Sequence, residues 1–234
     1  MLEINKVSKS YDKKKLAISE IDLVLEPGDL YGFVGPNGAG KTTLLKSIAG
    51  IIGFDSGSIS MDGFTIAKNP LEFKKLMAYI PDHPDLYETL SGRQFIDFIA
   101  DAFAVSIERR NELINRYAGV FEMADALNKP IATYSHGMKQ KAALIAALVH
   151  EPKLILLDEP FVGLDPKAAF SLKQIFKEIT AEGGIIFFSS HVLEVVEKLC
   201  NKIAIIKQGH IIADGKTNEV IKDRSLENFF MENA

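Results

Sequence analysis

Nine residues, "GPNGAGKTT" at positions 35–43, carry the most chemistry per residue in this chain. They match G-x-x-x-x-G-K-[ST] and lie between an apolar strand-like run, "DLYGFVG", and a helical run, "KTTLLKSIAG". Gly35, Gly38 and Gly40 let the backbone curl so that N–H groups point inward at phosphate oxygens. Pro36, Asn37, Ala39 and Thr43 complete the loop. A helix opening there adds a positive partial charge. Lys41 is then placed to reach the β- and γ-phosphates of a nucleoside triphosphate, and the Thr42 hydroxyl to meet Mg²⁺.

Downstream, "LILLDEP" buries an apolar strand and releases Asp158 at its C-terminal end, the edge where open α/β sheets bind ligands. Asp158 suits a Mg²⁺ carboxylate, and Glu159 suits a general base for water attacking the γ-phosphate. A solvated strand end is the other account of this acidic pair, and the phosphate loop tips the balance towards a nucleoside triphosphatase. "YSHGMKQK", residues 134–141, offers an adjacent Ser135 and His136. Neighbouring residues face apart, which disfavours a serine nucleophile. A second helix N-terminus fits better, with Ser135 as its cap and Gly137 permitting close approach by an anion. "YIPDHPDLY", residues 79–87, collects Asp82, His83 and Asp85 on a loop broken by Pro81 and Pro84. By itself it is a metal site, a solvated turn or a fragment of something larger.

The elements that position these groups follow from patterning. The N-terminal runs "LEINKVSKSY" and "AISEIDLVLEPGD" read as strands joined by the basic turn at 12–16, and "GSISMDG" as a further strand. From residue 90 to 150 three helical runs follow one another, the first with Phe95, Phe98, Ile99 and Phe103 as a core stripe and the second extending to about residue 129. "KLILLDEP", "GIIFFSSH" and "KIAIIKQG" then alternate with helical stretches, the mark of a mainly parallel covered sheet. A hairpin turns at Gln208-Gly209, and Phe229 and Phe230 dock a last helix. The expected fold is α/β: a P-loop NTPase core with a mainly parallel sheet, an N-terminal antiparallel β region and an inserted helical subdomain. One domain spans 1–234, with its nucleotide-binding core at 1–89 and 151–220, the helical subdomain at 90–150 and a tail at 221–234.

The 234 residues are 47% hydrophobic and 25% charged, enough for a sizeable core. A net charge of −4 does not suggest an electrostatic grip on nucleic acid, which usually needs a basic face. One cysteine, Cys200, rules out a disulfide framework within the chain and reads as a small buried hydrophobe. No apolar run nears the ~18 residues that span a bilayer, and the first residues lack a signal peptide's apolar core.

Taken together the segments resemble the ATP-binding cassette (ABC) family over nearly the whole chain, with the motifs in the family's order. "YSHGMKQK" is similar to the signature, with His136 in place of its first glycine and with Gly137 and Met138 following. "VGLDP", residues 162–166, resembles the loop that crosses the dimer interface through Gly163, Leu164 and Asp165. His191 in "FFSSH" stands at the switch histidine, and Tyr11 in "SKSYDKK" at the aromatic that stacks on adenine. Asp82 stands where the family has a glutamine near Mg²⁺; it either touches the metal through water or weakens ATP binding by repulsion. His83 and Asp85 then read as solvated loop residues.

The resemblance implies ATP and Mg²⁺ as ligands and two cassettes meeting head to tail. Each ATP would lie between one chain's phosphate loop and the other's Ser135 and Gly137, with Glu159, His191 and Lys41 catalytic. It further implies a separate transmembrane permease partner, a second ABC subunit (a second copy of this chain), and a cytoplasmic position on the inner face of the membrane. Analogy points to an exporter-type, ABC-2-like branch. The rival readings are a soluble ABC ATPase, and a phosphate-loop kinase or GTPase. The chain has no guanine-reading N-K-x-D string for the latter.

Overall fold

The computed structural model describes residues 1–12, 15–222 and 224–233, so Lys13 and Lys14 of the basic turn lie outside it. Ten strands are present among the described residues: β1 Leu2–Ser10, β2 Leu16–Leu25, β3 Leu30–Val34, β4 Ser56–Met61, β5 Phe64–Thr65, β6 Met77–Ile80, β7 Leu154–Asp158, β8 Ile185–Ser190, β9 Lys202–Lys207 and β10 His210–Lys216. Nine α-helices accompany them among the described residues: α1 Lys41–Ile48, α2 Pro70–Lys75, α3 Gly92–Ala102, α4 Ile107–Val120, α5 His136–Leu148, α6 Pro166–Ala181, α7 Leu193–Leu199, α8 Thr217–Ile221 and α9 Leu226–Asn233. The chain divides into two compact units, one of residues 1–79, 153–160 and 176–234 and the other of residues 80–152 and 161–175.

The first unit holds two sheets. The N-terminal sheet has the order β2-β1-β4-β5 and is antiparallel throughout. β2 alternates between buried and exposed positions, as a strand with one face in the core must. The second sheet runs β10-β9-β3-β8-β7-β6. Its central strands are parallel, β7 on β8 on β3 on β9, and β10 closes the edge as an antiparallel hairpin partner of β9. Every residue of β3, β7 and β8 is buried, which explains their unbroken apolar runs: both faces are covered. Tyr31, Phe33 and Phe187 fill the middle, with Tyr31 meeting Phe187 edge-on at 5.6 Å between ring centroids. Leu226, fully buried, anchors α9; Phe229 and Phe230 are only partly covered. Cys200 is buried and its thiol is pushed up by desolvation.

The second unit is helical. Ser91 and Gln94 form a reciprocal cap at the start of α3: Ser91 Oγ accepts from Gln94 N–H at 3.1 Å, and Ser91 N–H donates to Gln94 Oε1 at 2.9 Å. The buried face of α3 is Phe95, Ile96 and Ala100, whereas Phe98 is 52% exposed. The expected core stripe is therefore rotated: Phe98 faces outward beside Tyr87 at 5.9 Å. α4 stops at Val120, short of the expected 129, because Glu122 turns left-handed (φ 56°) and Met123 N–H closes back on Ala118 O. The short helix α2, begun by Pro70, has no counterpart in the sequence reading.

Candidate functional site

Strand register brings the chemistry to one edge of the parallel sheet. β3 ends at Val34, opposite Ser190 of β8, and β7 ends at Asp158, opposite Ser189. The phosphate loop, the acidic pair and the segment Ser189–His191 thus leave adjacent strand ends on the side where α/β sheets bind ligands. Gly40 precedes α1 in a left-handed conformation (φ 113°), and an added Cβ would lie 2.5 Å from Ala17 O. No side chain caps α1, so its first amides are left for an anion.

Lys41, only 7% exposed, points back into the loop and donates to Gly35 O at 2.6 Å and Pro36 O at 3.3 Å. Burial lowers the pKa of its ammonium, against the opposing pull of Glu159 and Asp158. Thr42 Oγ1 donates to Asp158 Oδ2 at 2.6 Å, and Ser189 Oγ donates to the other carboxylate oxygen. Asp158 is thus held on both sides, with a threonine hydroxyl beside it. That hard-oxygen pair at the foot of an uncapped helix and a buried lysine fits Mg²⁺ carried by a triphosphate. Glu159 sits at φ 51°, unusual for a side-chain-bearing residue, and its N–H donates to Ser189 O at 3.2 Å. Its Oε2 lies 2.9 Å from His191 Nδ1 and accepts His191 N–H at 3.3 Å. Tyr11 is exposed, its hydroxyl 3.3 Å from Thr43 Oγ1, and it borders a cavity of about 370 Å³ together with Pro36, Asn37, Gly38 and Ala39.

In the helical unit Ser135 caps α5, its Oγ accepting from Met138 N–H at 3.3 Å. An added Cβ on Gly137 would fall 2.6 Å from Gly163 O, so the two segments touch through backbone. The His136 ring lies against Gly163 and 5.1 Å from the ring of His83. Leu164 N–H closes the turn on Phe161 O. Asp165 caps α6 through Ala168 N–H at 2.8 Å and pairs with Lys141 at 2.6 Å, which lowers its pKa. Asp82 Oδ2 pairs with His83 Nδ1 at 3.0 Å while Oδ1 is buried without a partner. His83 meets Asp82 and His136 from a side chain that remains 79% exposed, so it stays the solvated loop residue expected of it. Sequence reasoning missed Ser189 and Lys141; two serines ending an apolar run were the signal for the first.

Parallel sheet, phosphate loop and acidic strand end define a phosphate-loop nucleoside triphosphatase. The ABC transporter family matches residues 18–162, and the chain belongs to it. An uncharacterized ABC transporter ATP-binding protein of Nostoc sp. is 36% identical over 90% of this chain and 63% of its own length. The ATP-binding protein EcsA of Bacillus subtilis is 31% identical over 99% of this chain and 96% of its own. A solved structure described as the ATP-binding subunit of an ABC transporter superposes with a TM-score of 0.95 at 31% identity, covering 99% of this chain and 98% of that one. This chain thus spans less than two thirds of the Nostoc protein and nearly all of EcsA. ATP binding and ATPase chemistry go with the family.

Proposed function

We propose that this chain is the ATP-hydrolysing subunit of a membrane transporter, an exporter, whose spanning domains belong to a separate permease. The observation that carries the hydrolytic part is the single sheet edge where Lys41, Thr42, Asp158, Glu159 and His191 converge. Lys41 neutralises the β- and γ-phosphates, and the α1 amides hold them. Thr42 and Asp158 hold Mg²⁺, which screens phosphate charge when bound. Glu159 takes the proton of the attacking water, and His191 fixes its carboxylate in place.

The exposed, Ser135-capped N-terminus of α5 gives the second half. In a head-to-tail dimer Ser135 and Gly137 face the γ-phosphate of the ATP on the partner, so closure depends on that phosphate and hydrolysis loosens it. Gly163, Leu164 and Asp165 line the same interface. Among the described residues no helix is long and apolar enough to cross a membrane, so in this reading the spanning segments come from the permease. A tagged pull-down from mildly solubilised native membranes tests the coupling: a multi-spanning protein in stoichiometric amount is expected. Recovery from the soluble fraction alone overturns the transporter reading in favour of a soluble ABC ATPase.

Asp82 enters the metal's surroundings by its place in "YIPDHP", where the family has glutamine. Its carboxylate adds negative charge where triphosphate charge already accumulates. On the repulsion reading, Asp82→Gln is therefore expected to preserve turnover and to lower the ATP concentration needed for half-maximal rate at saturating Mg²⁺. Loss of turnover with an unchanged melting curve would give Asp82 a different, essential role.

A further inference from the structure

The turn joining β9 to β10 is built into the phosphate loop. Gly209 N–H donates to Ala39 O at 2.9 Å, and Ser19 N–H donates to Gly209 O at 2.8 Å. Gln208 (φ 49°) and Gly209 (φ 83°) both occupy the left-handed region, as a two-residue type I′ hairpin requires. Such turns favour Asn, Asp or Gly at the first position, and Gln runs against that preference. Residues kept in disfavoured backbone regions cluster where function demands them. The Gln208 side chain is exposed, makes no hydrogen bond among the described residues, and lines the same cavity as Tyr11. Asp12, also on that cavity, is already engaged, its Oδ1 accepting from Lys15 N–H at 3.0 Å.

We propose that Gln208 reads the edge of the nucleobase and makes the site select adenine over guanine. This rests on the ATP reading of the phosphate loop. The Tyr11 ring stacks on either purine, because every base offers a π-face, so stacking does not choose between them. An amide does. Its carbonyl accepts from the adenine N6 amino group while its NH₂ donates to N7. Guanine presents two acceptors there, O6 and N7, and one of them must face the amide carbonyl. The turn's two backbone hydrogen bonds hold Gln208 at constant reach from the loop that grips the phosphates, which base reading needs.

Calorimetric titration of the full chain with ATP and with GTP, both with Mg²⁺, tests this. The unaltered chain is expected to bind ATP about tenfold or more tighter than GTP. Gln208→Gly suits the left-handed turn, so the hairpin stays, and the ATP-to-GTP affinity ratio should fall about tenfold through weaker ATP binding. Gln208→Asn keeps an amide one methylene shorter in the favoured Asn-Gly turn and should give an intermediate ratio. No ATP preference in the unaltered chain, an unchanged ratio in Gln208→Gly, or equal loss of both nucleotides overturns the proposal. Equal loss would mean the turn only props the phosphate loop. Failure of the unaltered chain to bind either purine would instead overturn the ATP reading itself.

Discussion

Glu159→Gln is expected to slow ATP hydrolysis by about 10²–10⁴-fold, the contribution of a positioned general base. That corresponds to roughly 3–5 kcal/mol of transition-state stabilisation. The substitution keeps the shape of the side chain at a position with φ 51°, so the turn after β7 survives. The amide oxygen can still accept the His191 N–H that Glu159 Oε2 accepts at 3.3 Å. It cannot take a proton from water at neutral pH. Phosphate binding stays, because Lys41, Thr42 and Asp158 are untouched. ATP should therefore accumulate unhydrolysed, and a dimer stable to size-exclusion should appear with ATP and Mg²⁺. Phosphate release at the unaltered rate would remove Glu159 from the base role. A strictly monomeric variant holding ATP would remove the sandwich in which Ser135 serves a partner's γ-phosphate.

Most of this site was legible because its signals are local. The phosphate loop announces itself through glycine spacing and a lysine, and the α5 cap through Ser135 standing before a helical run. The antiparallel N-terminal sheet and the buried parallel strands follow from period-2 alternation and unbroken apolar runs. What escaped depends on distant partners. Ser189 becomes a partner of Asp158 only through the register of β7 on β8. His136 meets His83 only because a loop and a helix start converge. Phe98 was misplaced because three aromatics at helical spacing outweighed Ile96 and Ala100, the residues the core takes beside Phe95. Hydrophobicity marks a face only to within a residue or so, and Tyr87 supplies the partner that lets Phe98 stay outside. The overrun of α4 has a different cause: its glycine, Gly119, lies inside the last turn and keeps a helical backbone, and Glu122 adopts the left-handed stop itself.

Lys41→Ala should abolish productive ATP binding and leave the fold in place. The lysine is buried and its ammonium is destabilised by desolvation, with Glu159 and Asp158 as the opposing charges. Its protein partners are two loop carbonyls, Gly35 O and Pro36 O, which a triphosphate would replace with full negative charge. Removing one member of a buried charge pair costs about 2–5 kcal/mol in binding, which is about 30-fold or more in ATP affinity. Hydrolysis should fall further, because the same charge stabilises the γ-phosphate in the transition state. Folding should not suffer in proportion, since the desolvation penalty on the ammonium goes with the side chain. Asp158 keeps both hydrogen bonds, from Thr42 and Ser189, and the loop keeps its tie from Gly209 to Ala39. Thermal unfolding without nucleotide should therefore stay near that of the unaltered chain, while the stabilisation given by ATP disappears. Lys41→Arg separates charge from shape: it keeps the cation but brings a wide planar fork into a pocket fitted to an ammonium. If charge alone mattered, the arginine variant would recover binding; if the tight cradle of loop carbonyls matters, it fails as alanine does. Full turnover in Lys41→Ala would mean that the phosphates are held by the helix amides alone, and the phosphate-loop assignment would lose its lysine.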